Sequence, residues 1–366
     1  MKKIIIFISV FLGVFFLINI LIALIWFPLD RVLSEKIYRN NRYSKEILDN
    51  LGIEYAKSGK FYNEMWAYNF FEFQDYIGYI ESKKENQEFV NFNFENGRKI
   101  NNPKICNKKF YFYGSSTTFG YQVKDSQTIP SYFSELLNKN YCTYNFGAGE
   151  YNSTRENSLF MSHLVNNKFS NGDTIIFLDG GGEMLPSSFS NQIKKLFDGT
   201  QNTLANRIKV TGEYFFQSLP LIIIYNKIDR IIEKNKNSKI QDPLKVDNII
   251  HESNNIFKKN IEIRDAVCKK FSLNCFTFLE PYSYTQNEFV NKKVIDQYGQ
   301  SYSGKDFINA YEKYKNSNLV IDISEILKDS NIKIKYIDEF HYSPAANQLI
   351  AKVIFTKIIN NGNLSK

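Results

Sequence analysis

The hydrophobic pattern of residues 105–366 alternates between short strand-like runs and longer segments with helical spacing. The predicted strands cover residues 108–113, a short stretch before Tyr144, 174–179, 274–279 and 332–337. The predicted helices cover residues 129–137, 152–169, 246–271 and 343–354, with Ser153 or Thr154 as a candidate cap of the second helix. This alternation predicts an α/β domain with a parallel sheet covered by helices.

Two long segments, at about residues 184–262 and 281–330, interrupt this alternation and are predicted to be insertions. The first contains the apolar run 219–225 (LPLIIIY), which is too short to span a membrane. It could form a strand, a buried helix segment or a membrane-contacting face. Residues 30–104 precede the domain and include an aromatic run over 66–79, which is expected to pack on the domain.

The N-terminus has a different pattern, because residues 4–29 are apolar apart from Ser9, Asn19 and Pro28. A helix of this length would cross a hydrocarbon core of about 30 Å, so residues 1–29 are predicted to be a transmembrane signal-anchor. A cleaved signal peptide is the alternative, but it needs a shorter apolar core and a small-x-small cleavage site. Lys2 and Lys3 favour a cytoplasmic N-terminus, whereas basic residues just past the run favour the reverse. We expect the domain to lie outside the cytoplasm, in a periplasmic or extracellular position.

Histidine is rare in this chain, so few residues are candidates for an imidazole that acts as an acid or base near neutral pH. There are three histidines, His163, His251 and His341, and only His341 has a carboxylate three residues before it, Asp338. An aspartate close to a histidine can hold the imidazole in one tautomer and stabilise the imidazolium ion. The alternative interpretation of D-x-x-H is a surface turn before a C-terminal helix.

A candidate nucleophile lies at the other end of the predicted domain. The strand over 108–113 runs into Gly114-Ser115-Ser116, and a predicted helix follows. A strand, a tight turn and a helix present a serine at the carboxyl edge of a parallel sheet. Together the two ends resemble the SGNH (GDSL-type) hydrolase superfamily over residues of about 105–183 and 265–360. The resemblance implies a flavodoxin-like, three-layer, doubly wound parallel sheet, here with helical insertions and an N-terminal transmembrane helix.

The resemblance also implies catalytic roles. Ser116 would be the nucleophile, His341 the general base and Asp338 the acid that orients it, while Ser115 replaces the usual Asp of the first block. The second block supplies a backbone N–H to the oxyanion. Counted strictly this donor falls on Glu150, with Gly149 just before it.

The third block departs from the family pattern, which is G-x-N-D with the Asn side chain as a further oxyanion donor. Here Gly182 stands in the place of Asn and Glu183 in the place of Asp. The loss of one oxyanion donor costs about 10²–10³ in rate. Another group must replace the donor, or the enzyme is slow, or catalysis has been lost.

The four cysteines, Cys106, Cys142, Cys268 and Cys275, form no C-x-x-C pair and have no histidine cluster beside them. A metal site is therefore not predicted. Disulfides Cys106–Cys142 and Cys268–Cys275 are expected in an oxidising compartment, and four buried thiols are the alternative. The net charge of +8 is spread along the chain, which argues against a nucleic-acid partner and agrees with a position near an anionic membrane surface.

These observations favour a membrane-anchored serine esterase that needs no cofactor. Its expected substrate is an O-acyl ester, such as an O-acetyl group, of an envelope carbohydrate or lipid. Two alternatives stay open: an O-acyltransferase that uses the same three residues, and a non-catalytic module that binds glycans or scaffolds an envelope complex.

Overall fold

The computed structural model describes residues 6–7, 10–11, 13–25, 43–66, 71–74, 77–103, 105–183, 219, 243–286, 293–295, 301–315 and 319–360. The chain divides into two compact units. The first comprises Met1–Asn41 and Ser188–Ile240, within which the structure describes a helix over residues 13–25. The second comprises Arg42–Ser187 and Gln241–Lys366 and contains the sheet and the candidate site.

The strands and helices of the second unit are numbered in chain order. The strands are β1 Phe71–Gln74, β2 Gly78–Glu81, β3 Phe92–Asn93, β4 Gly97–Arg98, β5 Lys108–Gly114, β6 Tyr141–Asn145, β7 Thr174–Asp179, β8 Asn274–Leu279, β9 Lys293–Ile295, β10 Ser301–Ser303 and β11 Ile321–Asp322. The helices are α1 Lys45–Leu51, α2 Ser58–Trp66, α3 Ser116–Phe119, α4 Ile129–Leu136, α5 Ser153–Val165, α6 Pro243–Lys270, α7 Gly304–Lys315 and α8 Pro344–Asn360.

A seven-stranded sheet in the order β11-β8-β7-β5-β6-β4-β3 forms the centre of this unit. Strands β5, β6, β7, β8 and β11 are mutually parallel where they pair. Numbered along the chain, these five strands lie in the order 2-1-3-4-5, which is the order of flavodoxin-like doubly wound sheets. The prediction of an α/β fold with a parallel sheet is confirmed. Strands β3 and β4 extend the β6 edge, and β3 runs antiparallel to β4.

The two faces of the sheet are covered by different helices. Phe110 and Phe112 of β5 share one buried cluster with residues of α4 and α8. Tyr111 and Tyr113, which alternate with them, share another cluster with residues of α5. Because successive strand residues face opposite sides of a sheet, both faces of β5 are buried. The neighbouring strand β7 is also covered on both faces, since all six of its residues are buried. Burial on both faces explains its run of consecutive apolar residues.

The prediction of a fifth strand over residues 332–337 is wrong. The fifth parallel strand is β11, Ile321–Asp322, which pairs with β8. In residues 332–337 only Tyr336 makes a bridge, to Tyr342. Ile332 is partly buried against the α4/α8 cluster, while the neighbouring Lys333 is exposed. The alternation that indicated a strand therefore comes from a loop that lies on a helical face.

The predicted helices and insertions are partly confirmed. Helix α5 ends at Val165 rather than at Phe169, and its cap is Asn152, whose side chain accepts a hydrogen bond from Arg155 N. Most of the first predicted insertion lies outside the described residues, including all of the run 219–225 except Leu219. The second contains the β9–β10 hairpin and α7.

The segment before β5 packs on the domain, as predicted for its aromatic residues. Trp66 lies edge-on to Tyr121, with ring centroids 5.2 Å apart. Phe61 and Phe92 belong to the same buried cluster as Phe119, the last residue of α3. The described residues between 43 and 98 thus contribute to the core that supports the carboxyl edge of the sheet.

Within the described part of the chain, none of the helices is both long and apolar enough to cross a membrane. The predicted anchor, residues 1–29, lies partly outside the described residues and stays a prediction.

Both expected disulfides are present. Cys106 bonds Cys142, with Cα atoms 5.5 Å apart, and Cys268 bonds Cys275, with Cα atoms 6.1 Å apart. The first joins the chain just before β5 to β6, and the second joins the end of α6 to β8. The alternative of four buried thiols is therefore wrong for this structure.

Candidate active site

Ser116 begins the short helix α3 directly after β5. Ser115 caps this helix, because its Oγ accepts a hydrogen bond from Thr117 N at 3.4 Å. A Cβ at Gly114 would collide with the side chain of Thr118 and lie 2.9 Å from Leu178 O. The turn therefore requires glycine at this position. It presents Ser116 at the carboxyl edge of the sheet, where β5 has β6 on one side and β7 on the other.

The structure brings Ser116, His341 and Asp338 together in one line. His341 Nε2 lies 3.0 Å from Ser116 Oγ. His341 Nδ1 lies 2.8 Å from each carboxylate oxygen of Asp338. Ser116 and His341 are 225 residues apart in sequence, so the fold alone makes this contact.

The loop before α8 fixes the shape of the Asp338–His341 pair. Asp338 Oδ1 accepts hydrogen bonds from Phe340 N at 2.9 Å and from His341 N at 2.8 Å. Burial raises the pKa of Asp338, but the charge and hydrogen bond of His341, with these backbone N–H groups, outweigh burial and hold the pKa below its ordinary value. Asp338 is therefore an anion that accepts the Nδ1 proton. Nε2 of a neutral His341 then offers its lone pair to the Ser116 hydroxyl.

The other two histidines lie elsewhere. His163 is buried in α5, with Nδ1 2.6 Å from Tyr113 Oη, and burial together with the Lys168 charge lowers the pKa of His163 to about 3. His251 is exposed on α6, with Nε2 3.2 Å from Asn255 Nδ2.

The predicted oxyanion loop follows β6. Glu150 has a φ of +58°, a left-handed conformation that glycine adopts more easily. The N–H of Gly149 is donated to Glu81 Oε1 at 2.8 Å. The Gly149 N–H therefore already has a carboxylate acceptor.

Gly182 and Glu183 lie in a 3₁₀ turn, Gly181–Glu183, after β7. A Cβ added to Gly182 would lie 3.0 Å from Tyr151 O, so a side chain fits there only with a small shift. The Glu183 carboxylate accepts hydrogen bonds from Ser153 N at 2.6 Å and Ser153 Oγ at 2.7 Å. Glu183 therefore caps the start of α5, and its carboxylate does not replace the missing amide donor.

Glu183 belongs to a buried cluster of charges beneath the turn. Carboxylate oxygens of Glu156, Asp179 and Glu183 lie within 4.8 Å of one another, which is close enough for a shared cation. Arg264 of α6 already supplies that charge, since its guanidinium donates to Asp179 at 2.5 Å and to Glu156 at 2.9 Å. Burial and the negative Asp179 raise the pKa of Glu156 and of Glu183.

Sequence patterns did not indicate several residues that contact the site. Gln122 donates to Asp338 Oδ2 at 2.8 Å and accepts a hydrogen bond from Tyr43 Oη at 2.5 Å. Tyr121, whose ring centroid lies 5.6 Å from that of His341, donates to Glu81 Oε1 at 2.7 Å. Isolated polar residues of this kind carry no spacing signal, so only the fold could identify them.

Glu280 is a buried carboxyl next to the nucleophile turn. Both of its carboxyl oxygens lie within hydrogen-bond distance of Thr117 Oγ1, at 3.0 and 2.8 Å. Thr117 Oγ1 also lies 2.9 Å from Ser115 Oγ, which places Glu280 behind the turn that carries Ser116. Burial raises the pKa of Glu280 from 4.5 to about 8, although its hydrogen bonds with Thr117 and Tyr342 lower it.

This raised pKa predicts a pH dependence of stability. The folded protein keeps the Glu280 proton to a higher pH than the unfolded chain, so the contribution of Glu280 to the free energy of unfolding falls as pH rises from 4.5 to about 8. Glu280→Gln removes this effect. The variant should gain stability relative to the wild type over that range, by at most about 1.4 kcal/mol per pH unit. Urea unfolding at pH 5, 6, 7, 8 and 9, with the exposed Glu262→Gln as control, would measure the gain. Parallel stability curves for wild type and Glu280→Gln would contradict the prediction.

No protein-family model matches this chain, and a search of curated proteins finds no match. Solved structures with a related arrangement of the chain exist at low identity. One is a member of the lipolytic protein G-D-S-L family from Veillonella parvula, 11% identical, which matches over 69% of this chain and 97% of its own with a TM-score of 0.36. A second is an acetylxylan esterase from Geobacillus stearothermophilus, 12% identical, which matches over 69% and 95% with a TM-score of 0.35.

A third is an alpha/beta hydrolase enzyme from the metagenome of Lake Arreo, 10% identical, over 72% of this chain and 98% of its own, with a TM-score of 0.35. Similarity at these TM-scores is too low to assign an activity to this chain.

Proposed function

We propose that this protein is a serine hydrolase that cleaves ester bonds. The observation that supports the proposal is the line from Ser116 Oγ through His341 to Asp338, with contacts of 3.0 and 2.8 Å. A nucleophile next to a base, and a base oriented by a third group, is the arrangement that activates serine in unrelated hydrolases.

Each residue has a distinct role in the proposed reaction. Ser116 Oγ attacks the acyl carbonyl carbon while His341 Nε2 takes the hydroxyl proton. Asp338 stabilises the imidazolium ion that forms. The bond to the leaving alcohol then breaks, and His341 returns the proton to that alcohol. In the second half of the reaction a water molecule attacks the acyl carbon while His341 takes a proton from it. The bond to Ser116 Oγ then breaks, the acid leaves, and His341 returns the proton to Ser116 Oγ.

Backbone N–H groups are the proposed oxyanion donors. Ser116 is the first residue of α3, where N–H groups have no acceptor within the helix. Glu150 N is the second candidate, on the loop anchored by the hydrogen bond from Gly149 N to Glu81. Donors of this kind act where negative charge develops in the transition state.

The proposed substrate is an O-acyl ester, such as an acetyl ester, of an envelope carbohydrate or lipid. The proposed location is an oxidising compartment outside the cytoplasm, with attachment to the membrane through the N-terminal segment. Two disulfides, Cys106–Cys142 and Cys268–Cys275, support that compartment. Alkylation of the protein from intact cells before and after reduction would test it, since thiols that react without reduction contradict the proposal.

A fluorophosphonate probe and an activated acetyl ester test the function together. Covalent labelling at Ser116 with release of acid to water supports a hydrolase. Labelling with acyl transfer to an added sugar, and little release to water, would instead identify an acyltransferase. A folded protein that neither labels nor cleaves esters would be better explained as a binding or scaffold module.

Gly182 gives a directional prediction for the oxyanion site. Gly182→Asn should raise the turnover of an activated ester, by up to about 10²–10³, because it adds a side-chain donor at the position where the family pattern has Asn. Gly182→Ala is the matched control, since it has the same Cβ, 3.0 Å from Tyr151 O, without a donor. Steady-state kinetics of the two variants decide the matter. Asparagine no faster than alanine would mean that another group already provides this donor.

A further inference from the structure

The Asp338 carboxylate has a donor from outside its own loop. Gln122 Nε2 donates to Asp338 Oδ2 at 2.8 Å, across 216 residues of sequence. Gln122 is fully buried and has a φ of +70°, a left-handed conformation that non-glycine residues rarely adopt. A buried amide held in such a conformation depends on its neighbours to keep it there.

A second hydrogen bond fixes which end of the Gln122 amide faces Asp338. Tyr43 Oη donates to Gln122 Oε1 at 2.5 Å. Trp66 Nε1 in turn donates to Tyr43 Oη at 3.3 Å. With its oxygen facing a hydroxyl donor, the amide must turn its NH₂ group towards the carboxylate. The hydrogen bonds from Trp66 to Tyr43, from Tyr43 to Gln122 and from Gln122 to Asp338 therefore all run in the same direction, with Asp338 as the final acceptor.

The loop that carries Gln122 is held by Arg98 of β4. The Arg98 guanidinium is fully buried and donates to Phe119 O at 2.8 Å and Val123 O at 2.6 Å. Its Nε donates to Asp125 Oδ1 at 3.0 Å. Residues that precede β5 in the chain thus fix both the backbone and the amide of Gln122.

We propose that Gln122 is a positioning residue of the active site, and that Tyr43 orients it so that residues 43–98 set the charge and orientation of the Asp338–His341 pair. This inference rests on the proposed function, because it assigns a role within the same Ser–His–Asp line. The Gln122 N–H draws negative charge away from the Asp338 carboxylate and limits its rotation. Without that donor the carboxylate would stabilise the imidazolium more strongly and hold the ring less firmly.

Other titratable groups also face the pair and must stay unchanged in the test. The Tyr121 ring packs against His341 and its hydroxyl is bonded to Glu81. Tyr284 is close enough for the Asp338 charge to contribute to its raised pKa, and its hydroxyl donates to Glu339 at 3.0 Å. Variants at Gln122 and Tyr43 keep both of these side chains in the sequence.

The test compares Tyr43→Phe, Gln122→Met and Gln122→Glu with Tyr132→Phe, which removes the same hydroxyl from a residue on α4. We expect Gln122→Met to lower kcat/KM for an activated ester by about tenfold or more, since the lost donor served a charged group. Tyr43→Phe should cause a smaller loss. In both variants the midpoint of the acidic limb of the pH profile should move to higher pH, and further in Gln122→Glu, which adds a negative charge. A purely structural role would lower activity without moving this midpoint.

An NMR titration of the imidazole carbons gives the same midpoint without any turnover. Three histidines are present, and single replacements of His163 and His251 assign the His341 signal. An upward shift of the His341 midpoint in Tyr43→Phe and Gln122→Met, and not in Tyr132→Phe, supports the inference. Equal midpoints in all folded variants would overturn it. If the wild type neither labels nor cleaves esters, the proposed function fails, and this titration still decides whether Gln122 acts on the pair.

Discussion

Ser116→Ala is expected to lower kcat/KM for an activated ester by about 10⁴–10⁶. Without the hydroxyl, His341 has no nucleophile to activate, although the oxyanion donors and the binding surface stay in place. The residual rate should therefore exceed that of the ester in water. Labelling by the fluorophosphonate probe should be lost completely.

Ser115→Ala is the matched control for this experiment. Ser115 is the neighbouring residue and caps α3 through a 3.4 Å hydrogen bond from Thr117 N. Loss of such a cap costs about 1 kcal/mol, so Ser115→Ala should still label and should lose about tenfold in rate at most. If Ser115→Ala loses the label and Ser116→Ala keeps it, the nucleophile has been assigned to the wrong serine.

Sequence alone could predict that Ser116, His341 and Asp338 lie together, because each is in a short local pattern. Asp338 and His341 are three residues apart, and the loop between them closes through hydrogen bonds from Phe340 N and His341 N. Ser116 follows a glycine that the strand-to-helix turn requires. Local patterns of this kind survive in the sequence because they depend on neighbouring residues.

The surroundings of the site could not be predicted in the same way. The Gln122–Asp338 hydrogen bond joins positions 216 residues apart, and the Tyr43–Gln122 bond joins positions 79 residues apart. Neither residue belongs to a spacing pattern, and Tyr43 lies outside the region that resembles the family. The incorrect prediction of a strand over residues 332–337 has a related cause. Alternation of apolar and polar residues reports which side chains are buried, and it does not report whether the backbone has a pairing partner.

The buried arginine of α6 gives the largest expected effect on stability. Arg264 is fully buried and contacts Asp179, Glu156 and the ring of Phe177, whose centroid lies 3.9 Å from Cζ. Arg264→Met keeps much of the side-chain volume but leaves the carboxyl groups without a counter-charge. The free energy of unfolding should fall by about 3–5 kcal/mol. Lys333→Met, which removes an exposed ion pair with Glu46, should have little measurable effect.

The pH dependence of the stability lost in Arg264→Met distinguishes two causes: buried carboxylates left without a counter-charge, and lost packing against Phe177. Burial and the negative Asp179 already raise the pKa of Glu156 and Glu183 with Arg264 in place, and removal of its charge should raise both further. The folded variant would then bind more protons than the unfolded chain, so its free energy of unfolding should fall as pH rises above the ordinary carboxyl range. Compared with the wild type, Arg264→Met should be least destabilised near pH 4.5 and most destabilised near pH 8. This is the pH range over which a buried carboxyl group with a raised pKa loses its proton. Urea unfolding across this range measures the difference, and adding Glu156→Gln to Arg264→Met should recover part of it. A loss that is the same at every pH would mean that the contact with Phe177, and not the charge, accounts for the role of Arg264.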